Sequence, residues 1–213
     1  MIDVRVLTGA ALDAALDDVA RMRITVFREW PYLYDGDLEY EREYLNAYRH
    51  SSDAVLVGAF DGTELIGVAT GTPMFDHADE FASAFQGLNW DLSQVFYCAE
   101  SVLLTTYRGS GIGHRFFDLR ETHARALGCS KVAFCAVQRP VDHPLRPTDY
   151  RPLDAFWENG ATAPFQTPLR ISAGKISMWP MKPQNHFSFG RGIYRLDISV
   201  IAVRKLRTSS IVL

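Results

Sequence analysis

The stretch that decides the fold is Arg108-Gly109-Ser110-Gly111-Ile112-Gly113, in the middle of Val95 to Gly128. The apolar run from Val95 to Leu104 predicts one buried strand, and Gly113 to Leu127 predicts a helix. The glycines let a ligand approach the backbone between them, and a helix start carries unpaired N–H groups and partial positive charge. The pattern therefore predicts a turn that binds a phosphate.

Two common phosphate-binding loops do not fit this turn. A P-loop needs Lys followed by Ser or Thr after its last glycine, but His114-Arg115 stands there. The dinucleotide fingerprint also fails, because Gly109, Gly111 and Gly113 are spaced by two. Nucleoside triphosphate hydrolysis and dinucleotide binding are therefore disfavoured.

The segments around the turn alternate between strand and helix patterns. In chain order they predict a strand at 3–7, helices at 11–27 and 38–49, a hairpin at 54–60 and 64–72 around Asp61-Gly62, a helix at 74–90, a strand at 129–137, a proline-rich loop at 139–152 and the start of a helix at 153–158. The helix after the glycine turn joins two strands, so we expect those strands to be parallel neighbours.

The amino-acid composition limits which class of protein this chain can belong to. The chain has 213 residues, of which 47% are hydrophobic and 22% charged, with a net charge of −3. These values predict one α/β domain with a sizeable core. No run approaches the roughly 18 apolar residues of a membrane helix. Three cysteines without a C-x-x-C pair argue against a disulfide framework and a zinc site, so we expect no metal and a reducing cytoplasm.

The spacing R-x-x-G-x-G at Arg108 to Gly113 resembles the pyrophosphate loop of the GNAT acetyltransferases. The preceding Ala99 to Leu104, the following Phe116 to Leu119 and the order of elements are also similar to that family, over about Val4 to Glu158. The resemblance implies a GNAT-like splayed mixed β-sheet with helices on both faces. It further implies an N-acetyltransferase that moves an acetyl group from acetyl-CoA to an amine of a small molecule or protein, by direct attack in a ternary complex.

The same resemblance implies where acetyl-CoA binds. Backbone N–H groups of Arg108, Gly109, Ser110, Gly111, Ile112 and Gly113 would hold the pyrophosphate. Backbone groups of Val102, Leu103 and Leu104 would pair with the pantetheine arm like an added strand. The thioester would enter the gap where the strands splay, with its carbonyl polarised by the N–H of Val102 or Leu103.

Two catalytic residues follow from the resemblance. Glu100 is the expected general base, and its apolar sequence setting predicts a raised pKa; the alternative is a structural carboxylate. The tyrosine that protonates the thiolate in the family has no match, because Trp157 stands at that place. Tyr150 is the substitute we expect, and protonation by solvent is the alternative.

The family pattern stops after Glu158, which divides the chain into a core at 1–158 and an atypical segment at 159–213. The latter holds eight Lys or Arg and one acid, Asp197. Codons can be chosen for residues 173–190 that encode a second string when they are read in a shifted frame, starting at the third base of the first codon. That string is W-K-D-I-D-V-A-D-E-T-T-K-P-F-F-I-W, and it is similar to the missing family C-terminus. We hypothesise a frame shift near Glu158 to Ala161. A divergent folded extension is the alternative, and a nucleic-acid-binding tail is disfavoured because aromatic residues are not interleaved.

Several features stay open at this level. A chain with an altered acceptor side could be an acyl-CoA-binding module with weak or no transfer. The acceptor amine is not identified, although the acidic main body favours a cationic one. The aromatic loop from Trp30 to Tyr34 is either pinned onto the core or a wall of the acceptor pocket. A homodimer is also open.

Overall fold

The structure is a computed structural model that describes residues 1–77, 91–137, 139–153 and 198–205. Its elements are β1 (Ile2–Leu7), α1 (Gly9–Phe27), α2 (Leu38–His50), β2 (Val55–Asp61), β3 (Glu64–Pro73), β4 (Val95–Tyr97), β5 (Ser101–Leu103), α3 (Ile112–Ala126), β6 (Lys131–Val137) and β7 (Ile198–Lys205). The helix predicted from Met74 starts as a short 3₁₀ turn at Met74–His77. The rest of that predicted helix, at 78–90, lies outside the described residues. The same holds for the helix predicted over 153–158, except for residue 153.

The sheet is mixed, as predicted. Its strands run in the order β1-β2-β3-β4-β6-β7, with β5 paired to β3 beside this path. The pair β4 and β6, which α3 connects, is parallel, and all other pairs are antiparallel. The prediction of parallel neighbours is confirmed for β4 and β6, whereas β5, the strand directly before this helix, pairs antiparallel with β3.

Helices cover both faces of the sheet because the strand side chains alternate. Val55, Val57 and Ala59 pack with Phe116 and Ala124 of α3 in one buried cluster. Leu56, between them, belongs to the cluster under the other two helices, together with Leu16 and Val19 of α1 and Leu45 of α2. Within the described part of the chain, no helix combines the length and hydropathy of a membrane span.

The single strand predicted from Val95 to Leu104 is wrong, because it is broken at Cys98 to Glu100. The carbonyl of Thr70 accepts the N–H of Ala99 at 3.1 Å, and the N–H of Thr70 donates to the carbonyl of Glu100 at 3.0 Å. One residue of β3 thus faces two of its partner, which is a β-bulge. Beyond it, β5 pairs with β3 but, among the described residues, not with β6. A crevice therefore opens between β5 and the second half of β6.

Candidate active site

The glycine turn has a backbone conformation that favours glycine. Gly109 and Gly111 have φ values of 78° and 83°, in the left-handed region. A Cβ added at either position would meet nothing within 4 Å. The turn thus demands glycine through its backbone shape, and it leaves open space on the outer side of the loop.

The start of α3 presents N–H groups outward. Gly111 is the residue before the helix, and no side chain caps it. The amides of His114 and Arg115 donate to the Gly111 carbonyl, at 3.1 and 3.3 Å. Ile112 and Gly113 precede them in the first turn, where an amide has no intrahelical acceptor. The arrangement suits an anion, which would complete these hydrogen bonds and meet the positive end of the helix dipole.

The Arg108 side chain connects this turn to the neighbouring strand. Its Nε donates to the carbonyl of Leu103 at 3.2 Å, and its Nη2 pairs with Glu29 at 2.9 Å. Glu29 also accepts a hydrogen bond from Thr105, at 3.2 Å. The end of α1, the end of β5 and the glycine turn are thereby held together.

Among the described residues β5 pairs only with β3, which leaves a free edge on its other side at Ser101 and Leu103. The amide of Leu104 donates to the Ile66 carbonyl at 3.0 Å, and Val102 stands opposite Val68 in the register with β3. Because alternate residues of an antiparallel strand direct their backbone groups to the same side, Val102 and Leu104 face β3. Of the three residues predicted to pair with a pantetheine arm, Leu103 is therefore the one that presents its backbone to the crevice.

Glu100 lies at the strand break with three donors on its carboxylate. Arg23 Nη1 is 2.6 Å from its Oε1, and the hydroxyls of Tyr44 and Thr70 donate to Oε1 and Oε2 respectively. Its side chain is 12% exposed. The carboxylate is thus buried, but it is fully provided with hydrogen bonds.

These partners overturn the predicted raised pKa of Glu100. Burial by itself would raise the pKa, but the charge of Arg23 and the hydrogen bonds from Thr70, Tyr44 and Arg23 outweigh it. The net effect is a pKa below the usual value of a glutamate, so the residue is ionised at neutral pH. The apolar neighbours of Glu100 along the chain predicted a pKa shift in the wrong direction. The residue that decides the direction, Arg23, lies on α1 and is distant in the sequence.

Arg23 is shared between two carboxylates. Its Nε is 2.5 Å from Glu41 Oε2, and the Glu41 side chain is fully buried. Burial alone would lower the pKa of Arg23, but Glu100, Tyr44 and Glu41 hold it well above its usual value. Sequence reasoning missed this group. A signal was present, since Arg23 interrupts the apolar stripe formed by Leu16, Val19 and Phe27 of α1.

A tyrosine and a thiol lie near Glu100. Tyr97 of β4 and Cys135 of β6 are hydrogen-bonded to each other through their side chains. Burial raises the pKa of Cys135 to about 12, against a lowering by that bond. Burial, followed by Cys135 and Glu100, raises the pKa of Tyr97 well above its usual value. Both groups are therefore protonated at neutral pH, and Cys135 is not a thiolate nucleophile.

Tyr150 lies in a loop that packs against the aromatic segment at 30–34. Its ring is edge-on to Trp30 with centroids 5.9 Å apart, and Arg139 donates to the carbonyls of Pro31 and Tyr32 at 2.9 and 2.8 Å. Burial raises the pKa of Tyr32 to about 12, with further contributions from Glu100 and Tyr150. Tyr32 is thus near both predicted catalytic residues, and Arg139 and Tyr150 hold the aromatic segment in place.

The atypical C-terminal segment is described over one strand. Residues 198–205 form β7, which pairs antiparallel with β6 from Lys131 to Val137. Residues 159–197 and 206–213, and the family tyrosine position at Trp157, lie outside the described residues. The frame-shift hypothesis falls on these residues and stays a prediction.

Comparisons with known proteins agree with this geometry. The acetyltransferase (GNAT) family model matches residues 20–147, more than half of the chain. Among curated proteins no match is found. A solved structure assigned to the GNAT family, from Desulfovibrio desulfuricans, is 12% identical, covers 97% of this chain and 100% of its own, and has a TM-score of 0.54. An N-acetyltransferase from Thermoplasma acidophilum, solved with coenzyme A, is 12% identical, covers 96% and 99%, and has a TM-score of 0.49. The first structure supports the fold.

Proposed function

The chain belongs to the acetyltransferase (GNAT) family, and from this premise we propose that it transfers an acetyl group from acetyl-CoA to an amine. The observation that carries the proposal is one continuous surface. The free edge of β5 leads, through the short turn at Thr105–Tyr107, into the glycine loop at the start of α3. A strand edge followed directly by an anion site matches a ligand that has an amide-bearing arm followed by a pyrophosphate.

The residues present fit acetyl-CoA. The left-handed glycines leave open space at the loop, and the first-turn amides of α3 suit the pyrophosphate oxygens. Leu103 would donate its free N–H to the pantetheine arm, in the manner of an added strand. Arg108, which contacts the Leu103 carbonyl, would lie where the arm meets the pyrophosphate. Bound acetyl-CoA would supply the activated acetyl group as a thioester.

Glu100 is the proposed proton acceptor for the attacking amine. Because its pKa is lowered, it is an ionised but weak base. It therefore suits a role in which it stabilises positive charge on the nitrogen and takes the proton through solvent. Tyr150 is the proposed proton donor to the departing sulfur.

The acceptor we propose is cationic when free in solution. Residues 1–158 hold 24 acidic residues against 14 basic ones, and this negative excess attracts a cation. The three cysteines are free thiols, which fits the reducing cytoplasm that we propose as the compartment.

Calorimetry with acetyl-CoA and CoA, followed by a thiol-release assay over a panel of amines, tests the proposal. We expect both nucleotides to bind, and thiol release from acetyl-CoA to depend on an added amine; the reaction without amine is the control. No binding of either nucleotide would overturn the proposal. Binding without amine-dependent release across the panel would replace it with an acyl-CoA-binding module.

A further inference from the structure

Arg120 is a buried cation at the strand break. It is 1% exposed and extends from α3 toward the sheet. Its Nη1 donates to the carbonyls of Thr70 and Glu100, at 3.1 and 3.0 Å, and its Nη2 donates to Ser101 Oγ at 2.9 Å. These acceptors are neutral oxygens, so the guanidinium charge is directed at the backbone of the bulge.

The peptide between Glu100 and Ser101 has a defined orientation. The Glu100 carbonyl accepts hydrogen bonds from the Thr70 amide at 3.0 Å and from Arg120 at 3.0 Å, so it points toward β3 and α3. This peptide is trans, and in a planar trans peptide the N–H points opposite to the C=O. The N–H of Ser101 therefore points away from β3, into the crevice where β5 leaves β6.

A charged donor on a carbonyl polarises the whole peptide unit. The hydrogen bond from a guanidinium draws electron density toward the carbonyl oxygen, which makes the N–H of the same unit a stronger donor. We propose that Arg120 is a positioning residue that fixes and polarises this peptide, so that the Ser101 N–H binds the thioester oxygen as negative charge develops on it. This proposal rests on the proposed acetyl transfer, and it names a donor different from the expected Val102 or Leu103.

The placement of charge on the two faces favours this role. The carboxylate of Glu100 lies on the face covered by α1 and α2, while Arg120 approaches the same residue from α3. The negative group and the positive group thus act from opposite faces of the sheet, and the positive group acts on the oxygen donor through the peptide. A purely structural Arg120 would affect only folding stability, whereas a polarising one also sets the donor strength of a single amide.

The test compares Arg120→Gln with Arg115→Gln. Arg115 lies on the same helix, and its Nη2 donates to the Val4 carbonyl of β1 at 3.3 Å, far from the break in sequence. For Arg120→Gln we expect kcat to fall about tenfold, less than the roughly 10²-fold or more lost with a whole oxyanion donor, while the acetyl-CoA Kd stays within about threefold. Arg120→Lys, which keeps a cation, should recover part of kcat.

An amide NMR spectrum of the free protein gives a readout that needs no activity. In Arg120→Gln the Ser101 amide proton should move upfield, toward a weaker hydrogen-bond donor, and in Arg115→Gln it should not. An unchanged Ser101 resonance, or an equal loss of kcat in both variants, would overturn the role of Arg120. A wild-type protein without CoA binding would instead overturn the proposed function, while the NMR comparison would still report on the peptide.

A second pair of variants tests the donor itself. Proline lacks an N–H, and a strand tolerates it where that N–H is outside the ladder. Ser101→Pro also removes the hydroxyl that Arg120 contacts, so its control is Ser101→Ala, which loses the hydroxyl but keeps the N–H. Relative to Ser101→Ala, Ser101→Pro should keep the unfolding midpoint within a few degrees and lower kcat by about 10²-fold. Val102→Pro should destabilise the fold, because Val102 faces β3. Normal turnover in a folded Ser101→Pro would remove Ser101 as the donor.

Discussion

Arg23 Nη1 lies 2.6 Å from Oε1 of Glu100, so a cation from the first helix is paired with the carboxylate at the strand break. The same guanidinium contacts Glu41 of α2. One buried residue thus links α1, α2 and the crevice, and it decides the protonation state of the residue that we propose as the base. The stability of the fold and the charge of Glu100 are therefore coupled through Arg23.

Removing Arg23 should be costly. Arg23→Met leaves two buried carboxylates without a cation, and breaking a buried pair in this way costs about 3–5 kcal/mol of unfolding free energy. Urea unfolding measures the loss. The control is Arg42→Met, which breaks an ion pair with Asp17 that is about half exposed, and which should cost far less because solvent screens the pair. Equal losses of unfolding free energy in the two variants would show that the buried ion pairs of Arg23 stabilise the fold no more than an exposed pair does.

Replacing Glu100 separates chemistry from binding. Glu100→Gln should lower kcat by about 10²-fold, the lower end for loss of a general base. The CoA Kd should be unchanged, because the strand edge and the glycine loop are untouched. Glu41→Gln is the matched variant, since it also removes one carboxylate from Arg23. Turnover in Glu100→Gln equal to that in Glu41→Gln would make Glu100 a structural carboxylate.

The lowered pKa of Glu100 also predicts how stability depends on pH. The folded-state pKa lies below the usual 4.5, so the native state favours the ionised form. The resulting stability is fully present above about pH 4.5 and is lost as pH falls through the folded pKa. In urea unfolding from pH 7 down to 3, the wild-type advantage over Glu100→Gln should shrink below pH 4.5. An advantage that grows toward acid would mean a raised pKa.

The sequence predicted the elements well because each depends on local pattern. The glycine turn, the helix after it and the parallel pairing of β4 with β6 follow from residues close together in the chain. The break in the strand at Cys98 to Glu100 could not be found that way. It depends on Thr70, some 30 positions earlier, and on Arg120, some 20 positions later. The apolar run from Val95 to Leu104 does not indicate that either residue will contact it.

The parts of the candidate site that depend on local sequence were likewise predictable, and the parts that depend on distant residues were not. The loop at Arg108 to Gly113 could be located because left-handed glycines are a property of the local backbone. The electrostatic state of Glu100 could not, because its sign is decided by Arg23 across the core. The choice of Leu103 over Val102 and Leu104 likewise needs the register with β3, which no single strand specifies.

The loop glycines can be tested against a glycine elsewhere. Gly111 and Gly62 have φ values of 83° and 61°, and an added Cβ at either meets nothing within 4 Å. Alanine at either position should therefore cost about 1–2 kcal/mol of stability through backbone strain. Gly111→Ala alone should weaken CoA binding, because it disturbs the first-turn amides of α3. Calorimetry and urea unfolding check the pair, and equal CoA affinities would place the nucleotide elsewhere.

The frame-shift hypothesis is tested on the gene. If the frame slips near Glu158 to Ala161, the nucleotides that encode 173–190 must contain the out-of-frame string W-K-D-I-D-V-A-D-E-T-T-K-P-F-F-I-W. A chain expressed with the restored frame should bind CoA as the present chain does, because the strand edge and glycine loop lie before residue 158. It should release thiol faster with amines, because the family C-terminus, which the string resembles, closes the acceptor side. Nucleotides without that reading would rule out the shift and leave 159–213 as a divergent extension, with β7 as its strand beside β6.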